Sequence, residues 1–255
     1  MNRDTLRQWI VVLAVLAALV LNGLANALPL NGLNTGEISD RFRVYFVPAG
    51  YVFAIWGVVY LGWLALTGYQ LLPAQRENPR LRRIGYWFAL SCVANPSWLF
   101  LWHYEQFVLT VPVMLLLLVS LIVIYSRLGI GRPRASAGET WCVRLPVSIY
   151  LGWITVATIA NVTSTLDYLR WGGWGIDPQV WAVILLAAGV GIATAVSLTR
   201  RDVAYLLVLV WAFAGVAVKQ AAVPLVAVSA WIAAGLVALA LVVGLLAGRR
   251  RSRPE

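Results

Sequence analysis

Three apolar stretches of the chain carry aromatic and carboxamide side chains at helical spacing. Trp56, Tyr60 and Trp63 fall on one helix face, as do Asn95, Trp98 and Trp102, and again Trp153, Ala157 and Asn161. Positions three, four and seven apart line one face. Indole and phenol rings offer flat apolar surfaces, and a carboxamide offers donors and an acceptor. Inside an apolar bundle, that combination can hold and orient a planar hydrophobic molecule. Helix packing explains an aromatic stripe equally well, and a single polar side chain such as Asn22, Asn26, Thr155 or Thr158 is more often interhelical glue. Gly50, Gly57, Gly62 and Gly152 would let a ligand or a neighbouring helix approach the backbone.

Other chemistries lack their residues. The one histidine, His103, stands beside Trp102 and Tyr104, which suits an interfacial residue better than a metal or haem ligand. The two cysteines, Cys92 and Cys142, have no metal-ligand spacing and are expected as free thiols. The apolar stretches hold no acid–base pair, so neither an ion-coupled pump nor a general acid–base enzyme finds its residues there. Lys219 invites comparison with a retinal-binding photoreceptor, but no carboxylate lies at the depth of the counter-ion that reading needs.

These residues must be positioned by membrane spans. The 255-residue chain is 61% hydrophobic and 12% charged, with a mean hydropathy of +0.81, which is too apolar for a soluble domain. Apolar segments at about 9–29, 49–72, 84–103, 107–126, 145–164, 178–198, 203–220 and 223–248 predict eight helices, since a bilayer core needs about 20 apolar residues per span. Lys219, Gln220 and Pro224 break a run twice as long as a bilayer accommodates, which predicts a tight hairpin there. The first segment reads as a retained span, because Asn26, Leu28 and Pro29 follow it in place of a clear small-residue cleavage site.

Charge sets the expected orientation. With both termini in the cytoplasm, the cytoplasmic segments hold sixteen basic against five acidic residues, a net of +11, and the outer loops four against five, a net of −1. Such asymmetry follows the positive-inside rule and explains the overall charge of +10 without nucleic acid. Arg249, Arg250, Arg251 and Arg253 read as a stop-transfer anchor, able to touch anionic lipid. Trp9, Trp141, Trp171, Trp174 and Trp181 are expected at span ends as an interfacial belt. Trp56, Trp63, Trp98, Trp153 and Trp211 lie deeper, where an indole N–H wants a partner.

Three motifs then occur in a telling order: Pro48-Ala49-Gly50-Tyr51-Val52-Phe53-Ala54-Ile55-Trp56-Gly57-Val58-Val59-Tyr60, Asn95-Pro96-Ser97-Trp98, and Tyr150-Leu151-Gly152-Trp153 through Ala157 to Asn161. In these the chain resembles the tryptophan-rich sensory protein and translocator protein (TspO/MBR) family, over roughly residues 9–165. It departs from the family pattern at Ala49, which replaces a proline, at Tyr51, which replaces a tryptophan, and at Ile149, where the proline stands one turn earlier as Pro146. The interval from Tyr51 to Trp56 is one residue shorter than in the family, and one residue turns a helix by about 100°.

The resemblance implies a five-helix bundle over 1–165, to which 166–255 adds about three further transmembrane helices and a basic cytoplasmic tail. It implies an intramembrane pocket for porphyrins, sterol-like lipids or benzodiazepine-type drugs, closed by the loop after the first helix, often in a homodimer. Carried over by position, Trp56, Asn95, Trp98, Trp153, Ala157 and Asn161 would line or support the pocket. Tyr60 would stack on the ligand, Tyr51 and Phe53 would form the loop-side rim, and loop 30–48 would be the lid.

The expectation is thus an all-α, multi-pass integral membrane protein of a bacterial inner membrane. It would act as a receptor or sensor for a porphyrin, haem-like or other planar hydrophobic ligand, passing it to another protein. The alternatives are transport of tetrapyrroles or lipids across the bilayer, and the light- or oxygen-dependent porphyrin breakdown proposed for the family. No cofactor is required; the expected partners are a hydrophobic small molecule, membrane lipids and a second copy of the chain.

Overall fold

Each apolar stretch becomes a helix, and a capping side chain or a proline fixes the start of most of them. The computed structural model describes residues 2–28, 30–131 and 135–251, with the side chains of Asn26 and residues 247–251 outside that description. Arg132, Arg134 and the Arg249–Arg253 anchor expected from the sequence therefore lie outside the described side chains. Helix α1 spans Arg3–Ala27 behind an Asn2 cap. The short α2, Thr35–Ser39, opens on a capping box between Asn34 and Glu37. A 3₁₀ turn, Gly50–Ala54, leads into α3, Ile55–Leu71. Asn78 caps α4, Pro79–His103, with proline in its first turn, and α5 covers Phe107–Leu128.

Helix α6 runs over Ala137–Tyr168 and begins on a Ser136 cap, with a π-helical segment at Thr140–Arg144. Asp177 caps α7, Pro178–Arg200, again with proline in its first turn, and Asp202 caps α8, Val203–Lys219. Helix α9, Pro224–Arg251, follows the hairpin that Lys219, Gln220 and Pro224 predicted. Among the described residues seven helices are long and apolar enough to cross a membrane; α8 is also apolar but has 17 residues. Among the described residues there is no strand.

Packing arranges the spans as a ring and a flank. Helix α1 contacts α3 and α4, α4 contacts α5, α5 contacts α6, and α6 returns to α3, closing five helices around a centre. Helix α8 packs on the outside of α6, and α9 packs on both α8 and α7. Two close approaches use glycine. A Cβ on Gly62 of α3 would stand 2.8 Å from the Pro146 ring of α6, and one on Gly152 of α6 would stand 3.1 Å from the Tyr205 carbonyl of α8. Gly50 and Gly57, read from sequence as further close approaches, have nothing within 4 Å of that position.

The ring is locked at its basic end. Buried Glu139 accepts from Arg80 at 2.6 Å and from Arg144 at 2.9 Å, tying α4 to the start of α6. Asp4 takes both Arg82 donors, at 2.8 and 2.5 Å, and Arg7 donates to the Arg76 carbonyl at 2.8 Å. Cys92 and Cys142 are free thiols. Gly62→Ala should lower stability by about 1–3 kcal/mol through overpacking against Pro146, whereas Gly57→Ala should leave it unchanged or slightly raised. Thermal unfolding of the two variants in detergent, followed by circular dichroism, tests this; equal midpoints would deny the α3–α6 contact its role.

Candidate functional site

The three aromatic stripes of α3, α4 and α6 converge inside the ring. They line two adjoining cavities whose walls share Thr35, Phe53, Trp56 and Trp98. The larger, about 400 Å³, is bounded by Asn22, Tyr60, Asn95 and Leu99 below and by Asn34, Gly36, Glu37 and Asp40 of the covering loop. The smaller, about 50 Å³, is walled by Trp102, Met114, Trp153, Ala157 and Asn161. Rings pack along this interior: Trp56 stacks on Tyr60 at 5.7 Å and 24°, and Trp98 stacks on Trp102 at 5.4 Å and 20°. Phe53 meets Trp153 edge-on at 5.7 Å.

Polar groups are engaged differently around the two cavities, which share Trp98. In the larger one the amides are engaged with each other: Asn22 donates to the Asn95 side-chain oxygen at 2.8 Å and accepts from the Tyr60 hydroxyl at 2.9 Å. This neutral network joins α1, α3 and α4, so Asn95 is both interhelical glue and cavity wall. Around the smaller cavity, Asn161 donates to Thr110 of α5 at 2.7 Å, but its side-chain oxygen finds no protein partner. The indole N–H groups of Trp98 and Trp153 are also unpartnered. All three side chains are at most 8% exposed, and a buried polar group without a partner costs about 1–3 kcal/mol. Two donors and one acceptor thus line one small space.

The loop after α1 covers these cavities. Trp102 donates its indole N–H to the Thr35 carbonyl at 3.2 Å, and Asn31 donates to the His103 carbonyl at 3.1 Å. The His103 ring lies between the Leu30 carbonyl, 3.0 Å from Nδ1, and the Thr35 hydroxyl, 3.2 Å from Nε2. A carbonyl only accepts, so Nδ1 carries the proton. Arg41 pairs with Glu105 at 2.5 Å, and Phe42 packs on Trp102 and Phe107.

The far side of the loop is held by α8. Ala49 donates its N–H to the Gly215 carbonyl at 3.0 Å, and Gln220 donates to the Tyr45 carbonyl at 3.2 Å. Trp211 donates to the Val52 carbonyl at 3.3 Å, and Asp40 pairs with Lys219.

Eight of the nine residues expected at the site line the cavities: Phe53, Trp56, Tyr60, Asn95, Trp98, Trp153, Ala157 and Asn161. Tyr51 does not. It is 48% exposed and packs edge-on against Trp211 at 5.2 Å, because the 3₁₀ turn at 50–54 directs it to α8 while Phe53 faces inward. His103, read as interfacial, is 1% exposed and staples the loop. Lys219 is held at the loop by Asp40, away from the interior. Trp9, Trp141 and Trp174 are exposed at helix ends as a belt requires.

Sequence reading missed Thr35, Met114 and Ser164 as wall residues and Thr110 as the partner of Asn161. Only tertiary contact reveals Thr110, which lies in the fourth apolar stretch.

Helices of this length and apolarity, closed around a cavity lined by indoles and amides, define an all-α, multi-pass integral membrane protein. The family model described as TSPO-like protein matches residues 8–243, which takes in the last three helices, and the chain belongs to that family. No curated protein and no solved structure matches it.

Removing the histidine staple should loosen the cover without disturbing the ring. In His103→Ala, amide hydrogen exchange in 30–39 should speed up about tenfold or more, with exchange in α4 and α5 unchanged. Unaltered exchange in 30–39 would mean that the loop is held by its other contacts.

Proposed function

We propose that the protein is a membrane receptor or sensor that binds a porphyrin-like or other planar hydrophobic molecule inside the five-helix ring and passes it on. The observation that carries this reading is the set of three buried, unpartnered polar atoms, Trp98 Nε1, Trp153 Nε1 and Asn161 Oδ1, around one cavity. The neighbouring Asn22, Asn95 and Tyr60 network is by contrast satisfied by protein partners, and what sets the three atoms apart from other unpartnered buried groups is that they share one cavity wall. Donors and an acceptor left free at the end of a larger aromatic chamber suit a ligand that brings oxygen acceptors and a donor with it. The chamber of about 400 Å³ lies within the usual range for ligand sites. In this reading the ring, 1–165, is the binding unit, the helices of 166–255 hold its cover, and both basic termini face the cytoplasm of a bacterial inner membrane.

A titration of the purified protein with protoporphyrin in detergent, following tryptophan quenching, tests the reading. Saturable quenching is expected, weakened about 5- to 100-fold in Trp153→Phe and Asn161→Leu. Trp153→Phe is informative because it removes an unpartnered N–H, so a purely structural role predicts little loss of folded helix. Nonsaturable quenching, equal in wild type and variants, would return the stripes to packing. A new absorbing product on illumination would replace binding by turnover.

A further inference from the structure

A third and larger cavity, about 530 Å³, lies outside the ring, between the outer face of α6 and the start of α7. Helix α7 packs on α8 and α9 and stands off from α6, so a crevice remains between them. Its α6 wall is Thr158, Ile159, Val162, Thr163 and Leu166. Both threonines turn their hydroxyls back onto their own helix, Thr158 to the Ile154 carbonyl at 2.6 Å and Thr163 to the Ala160 carbonyl at 2.8 Å. The Trp181 indole, on the opposite wall, donates to the Gly173 carbonyl at 2.9 Å. With these groups satisfied internally, the crevice offers hydrocarbon and aromatic surface, which suits an acyl chain and gives a polar ligand little to bond.

The outer rim of the crevice has opposite chemistry. Arg43 and Asp167 lie there, at the loop end of α6. Asp167 accepts the backbone N–H of Arg43 at 3.1 Å. The Arg43 guanidinium has no carboxylate partner among the described residues. One cationic and one anionic group therefore border a long apolar slot, and Trp171 adds an indole face on which an ammonium can rest. A bilayer phospholipid with a zwitterionic head matches this sequence of surfaces. The geometry points to a phospholipid site here: one acyl chain lies between α6 and α7, the phosphate meets Arg43, and the head-group ammonium meets Asp167 and Trp171.

The position gives the lipid a structural consequence. Val44, Tyr45 and Phe46 wall the crevice, and the next residues of the same segment, Val47 and Pro48, wall the small central cavity. The segment is one partition with lipid on one side and the candidate ligand site on the other.

Native mass spectrometry of the full chain released from detergent, titrated with phosphatidylethanolamine, tests the site. One lipid should be retained under activation that strips equimolar phosphatidylglycerol and monoacylglycerol. Val162→Trp, which fills the slot, should reduce the retained fraction about tenfold, and Arg43→Gln about fivefold. Ile184→Trp, exposed on another face of α7, should leave it unchanged. Arg43 is exposed, so its variant reports on binding even if Val162→Trp fails to fold, which helical circular dichroism would show. A statistical ladder of adducts equal in all variants would overturn the site. Retention of monoacylglycerol as strong as that of phosphatidylethanolamine, or an unchanged Arg43→Gln, would overturn the head-group assignment.

Discussion

The site depends on one constraint: a stretch of irregular and 3₁₀ backbone, roughly residues 40–54, has to cross the top of an apolar ring with its N–H and C=O groups satisfied. Irregular backbone is tolerated at membrane depth only where protein supplies the missing partners. Helix α8 supplies several: Gly215 offers its carbonyl to Ala49, and Trp211 and Gln220 reach the carbonyls of Val52 and Tyr45. A Cβ at Gly215 would sit 2.2 Å from Val52, so the absence of a side chain there is what lets the segment lie this close. The last three helices are therefore tied to the cover of the ring, and α9 and α7 follow because α8 must itself be held.

From that constraint the division of labour among the helices follows. Helix α6 is the shared wall: it gives Trp153, Ala157 and Asn161 to the interior, Gly152 and Thr155 to α8, and its threonine-lined outer face to the crevice. A single helix can serve three surroundings because residues a few positions apart point in different directions around its axis. This also explains why α6 is buried over much of its length, while α7 and α9, which each serve one side, expose most of theirs.

Much of this was legible in the sequence. The length and apolarity of eight stretches gave the spans, and helical spacing gave three stripes that do meet in one interior. The limits are equally specific. Periodicity places Asn22 and Asn95 on faces but does not say that the faces touch, so their mutual hydrogen bond, and the free oxygen of Asn161, emerge only from packing. Tyr51 was carried over from a motif whose spacing differs here by one residue, and the 3₁₀ turn resolves the mismatch by turning it outward. His103 reads as interfacial because its neighbours are aromatic; burial comes from Leu30 and Thr35, some seventy residues away.

The polar inventory of the ring argues for where its function resides. Glu139 with its two arginines, the Asn22 network and His103 each spend their hydrogen-bonding capacity on joining elements that are distant in sequence. Those groups are the frame, and a frame of buried polar groups holds a unique arrangement only if its members are paired. Other buried groups of the ring, such as the Trp63 indole, also lack a protein partner, but Trp98, Trp153 and the oxygen of Asn161 share one cavity wall, next to the flexible-sided Met114 and beneath a cover tied from two sides. Local rules of satisfaction are most often broken where a molecule from outside completes them. Filling the small cavity with larger apolar residues would remove the cost, yet the chain keeps two indole donors and an amide there, and that choice is what supports the proposed site over a purely packed bundle.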